Sequence, residues 1–320
     1  MSTASYNCPC CGGGPLKFSG ESGKLECTAC GNNYEPEALE MMTPEESIDE
    51  ITFANDAKRF DTGEAGMRAY FCKNCGAELM ADETAAAECP YCGSPTILSD
   101  RIEDGVKPEK VIPFVVSKEQ AQKQFEDYFK GKKLLPNVFL NSRNRISEMR
   151  RLYIPYWLFS CDACADMVYD AEKVHTEQKG EWEITRTKHY LVRRRGGMRF
   201  ENIPVDGSVK MDDKLTESLE PYDLSAAIPF QSAVLAGAMA DHADADCAAC
   251  EKRAVERVER SVEQAMLDTV RDYDTFSERS RRIIAERGSA TPALLPVWLM
   301  TTVKEGKTYT LAVNGQTGKL

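Results

Sequence analysis

Basic residues are scarce in the first third of the chain. Residues 1–100 hold six Lys or Arg against seventeen Asp or Glu, while the rest of the chain holds 34 of each, so the whole net charge of −11 sits in that segment. Nucleic-acid affinity depends on Lys and Arg neutralising phosphates. An acidic, nearly arginine-free segment is badly suited to that partner and suits a protein partner or solubility. Only three histidines occur, His175, His189 and His242. His175 and His189 read as strand residues with ordinary hydrogen bonds. No Gly-x-x-x-x-Gly-Lys-Ser/Thr loop is present, which excludes a P-loop nucleotide site. With no nucleophile and base pair either, the chain reads as a non-enzyme with no small-molecule substrate. No run of eighteen apolar residues occurs, so no segment is expected to span a membrane. The polar N-terminus has no signal-peptide character, and the expected compartment is the cytoplasm.

Cysteine is abundant, with thirteen in 320 residues. Cys72-Lys73-Asn74-Cys75-Gly76 and Cys89-Pro90-Tyr91-Cys92-Gly93 are two Cys-x-x-Cys-Gly knuckles. Cysteines three apart on a tight turn aim both sulfurs at one point, and the glycine permits a positive φ. Four sulfurs suit tetrahedral zinc and leave no open position, so this is a structural site, not a catalytic one. The pattern also occurs earlier, at Cys8, Cys11, Cys27 and Cys30, with Cys10 as an extra residue inside the first knuckle. Two structural zinc ions are expected. Each four-thiolate site adds about two negative charges to the acidic segment.

The fold class expected is α+β. It comprises a zinc ribbon over 1–40, an acidic helical linker over 41–68, a second ribbon over 69–104, and an α+β domain over 105–320. That domain should be mainly antiparallel sheet with covering helices. Thr43-Pro44-Glu45-Glu46 starts a linker helix with apolar positions at Ile48, Ile51 and Phe53. Strands are expected at Leu16–Phe18, Lys24–Glu26, Glu78–Met80, Thr96–Leu98, Val111–Val116 and Leu152–Phe159. Ser117-Lys118-Glu119-Gln120 is a capping box, opening a helix to Gly131 with a buried face of Phe125, Tyr128 and Phe129. A short helix is expected around Arg143–Arg151. An antiparallel meander then takes Ala165–Gln178, Trp182–Arg195 and Met198–Val205, turning at Lys179-Gly180 and Gly196-Gly197. Helices are expected at Asp212–Leu219, Phe230–Asp241 and Ala248–Tyr273. Leu294-Leu295-Pro296-Val297-Trp298-Leu299 echoes Tyr153-Ile154-Pro155-Tyr156-Trp157-Leu158, a weak internal duplication whose prolines suggest edges or bulges.

Cys161, Cys164, Cys247 and Cys250 form two further Cys-x-x-Cys pairs without knuckle glycines. They read as buried thiols; a third metal site joining them and a redox pair are the alternatives. Arg186, Arg193, Arg195 and Arg199 form the basic cluster, read as a salt-bridged sheet face. The alternative is a patch for an anionic partner, either a lipid surface or the acidic segment itself.

The paired knuckles, Val111-Ile112-Pro113-Phe114, Lys130–Pro136, Ile154–Leu158, His189–Arg194, Val205-Asp206-Gly207-Ser208, Leu295–Leu299 and Asn314–Lys319 together resemble the bacterial TFIIB-type zinc-ribbon-containing proteins. The resemblance covers nearly the whole chain. It implies no reaction; a primosomal-helicase label borne by some members rests on the knuckles alone. Some members are encoded beside phage-shock-type envelope-stress proteins, and many continue into transmembrane segments after the Asn-Gly-Gln-Thr-Gly-Lys motif. The closed four-cysteine sites, the acidic ribbons and the missing catalytic set lead to the expectation of a non-catalytic adaptor that binds other proteins, and the resemblance adds a place at the inner membrane face through a C-terminal segment absent here. The alternative it raises is a nucleic-acid-associated factor in replication or transcription.

Overall fold

A computed structural model describes residues 8, 15–20, 22–36, 52–60, 68–81, 88–99, 105–129, 149–304 and 307–320. Seven short strands come first: β1 (Leu16–Phe18), β2 (Leu25–Cys27), β3 (Asn33–Tyr34), β4 (Phe53–Ala54), β5 (Arg68–Phe71), β6 (Glu78–Ala81) and β7 (Ile97–Ser99). Then follow β8 (Lys110–Val111), helix α1 (Lys118–Phe129), β9 (Arg150–Lys179), β10 (Trp182–Asp206) and helix α2 (Asp213–Ser218). The chain continues through β11 (Ile228–Pro229), β12 (Met239–Asp241), helix α3 (Cys247–Asp268), β13 (Thr275–Lys304) and β14 (Lys307–Asn314). The fold is mixed α+β, mostly sheet. β1, β2 and β3 form a small sheet; the other strands form a second, ordered β11-β8-β13-β9-β12-β6-β5-β7, with β10 on β9 and with β14 and β4 on β13. Two compact units result. One comprises Met1–Ile51, Asp162–Met198 and Val258–Glu286; the other comprises Thr52–Cys161, Arg199–Arg257 and Arg287–Leu320.

The proline–tryptophan echo extends to a repeated plan, whose paired positions described below all lie in the second unit. One copy runs β8, α1, β9, β10; the other runs β12, α3, β13, β14. The short strand of each copy pairs in parallel with the long strand of the other. Lys110 and Val111 face Ala293 and Leu294, and Met239 and Ala240 face Leu152 and Tyr153. In each long strand the proline carbonyl accepts from a glycine that follows the hairpin's return strand: Gly207 N to Pro155 O, and Gly315 N to Pro296 O, both 2.8 Å. Each tryptophan then donates across to the other copy, Trp157 Nε1 to Ala245 O (3.1 Å) and Trp298 Nε1 to Val116 O (2.9 Å). Ala245 and Val116 return N–H bonds to the carbonyls of Gly207 and Gly315, at 3.0 and 2.9 Å. Both stand just before a helix cap. Ser117 Oγ accepts from Gln120 N for α1, and Asp246 Oδ1 accepts from Ala249 N for α3. The expected capping box is complete, because Gln120 Oε1 accepts from Ser117 N at 2.8 Å. The swapped pairing explains why neither copy can bury its own short strand alone.

The prolines are not at edges, since β9 and β13 lie inside the sheet. Each falls where its strand changes partner. Pro155 lies just beyond the β12 ladder, and Pro296 lies between the β8 and β14 ladders, so neither missing N–H interrupts those ladders. Other expectations are corrected. Leu152–Phe159 and Ala165–Gln178 belong to one strand, β9, and the meander is a single long hairpin turning at Gly180 (φ 67°). Gly196 and Gly197 lie inside β10. A Cβ at Gly196 would stand 3.2 Å from Met266 Cε, so this glycine admits α3 closely onto the sheet. Phe230–Asp241 is not a helix; it holds a 3-10 turn at Ser232–Leu235 and then β12. Gly237 at φ 67° breaks the helical path, and β12 is buried between β9 and β6. Val111–Val116 is strand only to Val111, after which the chain leaves the sheet and exposes Val115. On α1, Ala121 and Phe125 form the buried face, whereas Tyr128 is exposed. Phe53 is no helix residue: in β4 it pairs with Gly288 and packs edge-on to Phe159 at 4.9 Å. The helix expected from Thr43 with Ile48 and Ile51, the Arg143–Arg151 helix, and the Lys130–Pro136 motif lie wholly or mostly outside the described residues. The Phe129 side chain and the α1 end near Gly131 do so too.

Candidate metal centres

Three knuckles share one backbone pattern. Gly31, Gly76 and Gly93 donate N–H to Cys27, Cys72 and Cys89 O at 2.8–2.9 Å, with φ of 73°, 71° and 72°. Cys27, Cys72 and Cys89 N donate in turn to Asn32, Ala77 and Ser94 O. This pattern needs a left-handed residue after the second cysteine, and glycine supplies it without strain. In the later site the sulfurs of Cys72, Cys75, Cys89 and Cys92 lie within 4.8 Å of one another, with 3.5 Å between Cys72 and Cys92 and between Cys75 and Cys89. In the earlier site Cys8, Cys27 and Cys30 converge in the same way, and Cys10 and Cys11 lie outside the described residues. Both clusters can hold a metal ion. Burial works against ionising Cys92, but hydrogen bonds from Ser94 and Asn74 bring its thiol down to about 6. Burial pushes the Cys75 and Cys89 thiols up.

The later cluster is built into the large sheet. β6 pairs antiparallel with β12, Met80 facing Ala240. Cys72, Ala77, Leu79, Cys89 and Tyr91 share one hydrophobic core with Ile154, Leu158, Leu295 and Val297. The knuckle at 89–92 is tied down on several sides. Arg150 donates to Cys89 O (3.2 Å) and pairs with Glu88, Thr301 Oγ1 donates to Pro90 O (3.0 Å), and Lys210 Nζ donates to Cys75 O (3.0 Å) on the facing knuckle. Tyr91 OH donates to Asp241 Oδ2 at 2.5 Å, and Ser208 Oγ donates to the same oxygen at 2.5 Å. Sequence reading missed Asp241 and Tyr91; an acid directly after the apolar pair Met239-Ala240 was the available signal.

Burial pushes the Asp241 carboxyl up to about 7, although Ser208 and Tyr91 act the other way. The folded protein therefore holds this proton more tightly than the unfolded chain. The resulting stability is complete below the unfolded value of 3.8 and is lost as pH rises towards about 7. A gap of this size corresponds to about 4 kcal/mol. Asp241→Asn should remove that slope. Chemical denaturation of both proteins from pH 4 to 8 checks it, and the difference between them cancels the thiols' own titration.

The other candidates separate. Cys161, Cys164, Cys247 and Cys250 are not brought into any cluster of three or more ligand atoms. Cys247 and Cys250 open α3 directly after β12, a strand–motif–helix placement that the sequence reading did not assign. Burial pushes their thiols up to about 11 and about 12, the reverse of a reactive dithiol. Arg193 and Arg195 share a face, as alternation requires, and both close on Asp166, Arg193 through two bonds of 2.6 and 2.5 Å. Arg193 foremost holds the Asp166 carboxyl down to about 2. Arg186 pairs with Glu177 at 3.2 Å, and Arg199 lies in the other unit. His189 Nδ1 lies 3.1 Å from Glu172, His175 is exposed, and His242 directly follows β12 in the second unit. Among the described residues no helix is long and apolar enough to cross a membrane.

The chain is 35% identical over 316 residues to a Bacillus subtilis (strain 168) protein, "Uncharacterized protein YdjG", spanning 99% of this chain and 88% of that one. It belongs to the YdjG family. No family model matches the chain, and no solved structure does. The YdjG match runs across both cysteine clusters and the repeated sheet alike. The relative's name states no activity, so a functional reading of this YdjG-family chain rests on the geometry above.

Proposed function

We propose that this chain is a non-catalytic zinc-binding adaptor that engages other proteins, with TFIIB-type zinc ribbons at both cysteine clusters. The observation that carries the reading is the closed four-thiol cluster at Cys72, Cys75, Cys89 and Cys92, fused to the core. A tetrahedron with Zn–S bonds of about 2.3 Å has S–S edges of about 3.8 Å. The sulfurs, 3.5 Å apart in two pairs and all within 4.8 Å, fit that ion. Four thiolates fill zinc's positions, so such a site stiffens structure and leaves no coordination place for a substrate. Protein contact is further supported by Phe71 and Ile97, which face each other across β5 and β7 and are 38% and 43% exposed. β7 is also an edge strand of the sheet. The acidity of residues 1–100 favours a basic protein surface over nucleic acid.

The test is crosslinking in the native host, followed by affinity capture with and without nuclease and with and without a metal chelator. The adaptor reading expects a defined set of proteins that survives nuclease and is lost on chelation. Recovery of nucleic acid, with the proteins lost on nuclease treatment, would overturn it in favour of a replication or transcription factor.

A further inference from the structure

The hairpin of β9 and β10 runs on past β13 as an arm. Asp274 N donates to Glu172 O at 2.9 Å where β13 begins, so among the described residues the arm beyond Glu172 has two strands alone. Thr176 Oγ1 stands 3.2 Å from Thr185 Oγ1, and Glu172 lies 3.1 Å from His189. Both pairs fit a two-residue turn at Gly180 and Glu181, and they fix which residues face each other across the arm. Strand alternation then separates two faces. One carries Thr176, Gln178, Glu183, Thr185 and Thr187. Arg193 and Arg195 fall on that face, where both already close on Asp166. The other face carries Lys173, Lys179, Trp182, Arg186 and Lys188.

This second face is short of negative charge. Of the arm's residues Glu177 is its one acid, and it pairs with Arg186 at 3.2 Å. Lys179 and Lys188 have no carboxylate partner among the described residues, and Lys173 lies over the Tyr273 ring, 5.1 Å from its centre. The pairing sets Lys173 directly opposite Lys188, and like charges so placed repel. Beside Lys179, Trp182 is 77% exposed. Tryptophan and arginine are the side chains that most often anchor protein contacts. We infer that this face docks a short acidic segment of a partner protein, extended along the arm. Its carboxylates meet Lys173, Lys179 and Lys188, and an apolar side chain covers Trp182. Other polyanions fit less well. Three lysines neutralise too few phosphates to hold nucleic acid firmly. Glu181 and Glu183 flank Trp182 at the tip, where an anionic bilayer would meet them. The face uses no residue of the cysteine clusters or of the β5–β7 edge, and the inference goes beyond the adaptor reading.

The test reads acrylamide quenching of tryptophan fluorescence in the full chain at low ionic strength. Trp157 and Trp298 are buried, so the quenchable signal is that of Trp182. The probe is the capped peptide Glu-Ser-Glu-Phe-Glu-Ser-Glu, whose alternate glutamates share one face when extended. The same peptide with glutamine for glutamate is the control. Saturable protection of Trp182 by the acidic peptide alone is expected. Two double variants carry equal net charge and change only exposed residues. Lys173→Ser with Lys188→Ser should weaken the peptide about fivefold or more, the loss of two exposed ion pairs. Gln178→Glu with Thr187→Glu, on the opposite face, should leave it close to wild type. The inference is overturned if the acidic peptide gives no protection, if the glutamine peptide protects as well, or if both double variants weaken it equally. Tighter binding of oligo(dT) or of phosphatidylglycerol vesicles would overturn it in favour of nucleic acid or membrane. Protection that rises with the concentration of the chain alone would overturn it in favour of a second copy.

Discussion

With zinc held as proposed by Cys72, Cys75, Cys89 and Cys92, removal of the ion is expected to unfold the second compact unit as a whole. The cysteine spacing by itself suggests a small ribbon that could melt and leave the larger domain intact. The sheet argues otherwise. β6 is hydrogen-bonded to β12, and Cys72, Ala77, Leu79, Cys89 and Tyr91 sit in the same core as the long strands. Without a cation the four sulfurs lose the centre that fixes both knuckles, and the hydrogen bonds to Asp241, Thr301 and Arg150 are left to hold the later one alone. Structural zinc contributes about 10–16 kcal/mol in small peptides, whereas a whole domain is stable by about 5–15 kcal/mol. Loss of the ion is therefore enough to unfold the unit. Thermal unfolding of Cys89→Ser, followed by near-UV circular dichroism from the buried Trp157 and Trp298, should show the native signal lost at all temperatures or its midpoint sharply lowered. Cys30→Ser, in the earlier cluster, should leave that signal in place. An unchanged transition in Cys89→Ser would show that the ribbon is a detachable module.

Gly315→Ala should cost about 3 kcal/mol or more, and Gly207→Ala well under half of that, although the two glycines hold equivalent places in the repeat. A Cβ at Gly315 would lie 2.6 and 2.7 Å from Phe114 ring carbons and 2.8 Å from Pro296 Cβ. Phe114 cannot yield easily. Its ring packs edge-on against Tyr153 (5.1 Å) and Trp298 (5.4 Å), with the Arg151 guanidinium 4.6 Å from its centre. A Cβ at Gly207 would meet Ala245 O and Trp157 Cδ1 at 3.5 Å and Pro155 O at 3.6 Å, all ordinary contacts. Urea denaturation of the two variants gives the comparison directly. Equal costs would mean that the Phe114 pocket is softer than its packing implies.

What was legible in the sequence was local. The knuckles closed by Gly31, Gly76 and Gly93, the Ser117–Gln120 capping box and the helix expected over Ala248–Tyr273, observed over Cys247–Asp268, depend on residues within a few positions of each other. The Pro155–Trp157 and Pro296–Trp298 echo was legible as a likeness. Its meaning was not, because the swapped short strands and the Trp157–Ala245 bond join positions far apart in the chain. The same limit hid the β6–β12 ladder and the Tyr91–Asp241 bond, which turn a ribbon into part of the core. Apolar runs misled where both faces of a strand are buried. Met239–Asp241 has no alternation to betray it, and Gly196-Gly197 looks like a turn when the reason for it is a helix lying above.

The most direct measurement is zinc K-edge X-ray absorption on the full-length protein, combined with metal-to-chain stoichiometry. Closed structural sites require two zinc ions per chain, each with four sulfur neighbours at about 2.3 Å and no lighter ligand. Fewer than two zincs, or an oxygen or nitrogen neighbour marking an open position, would contradict the non-catalytic reading.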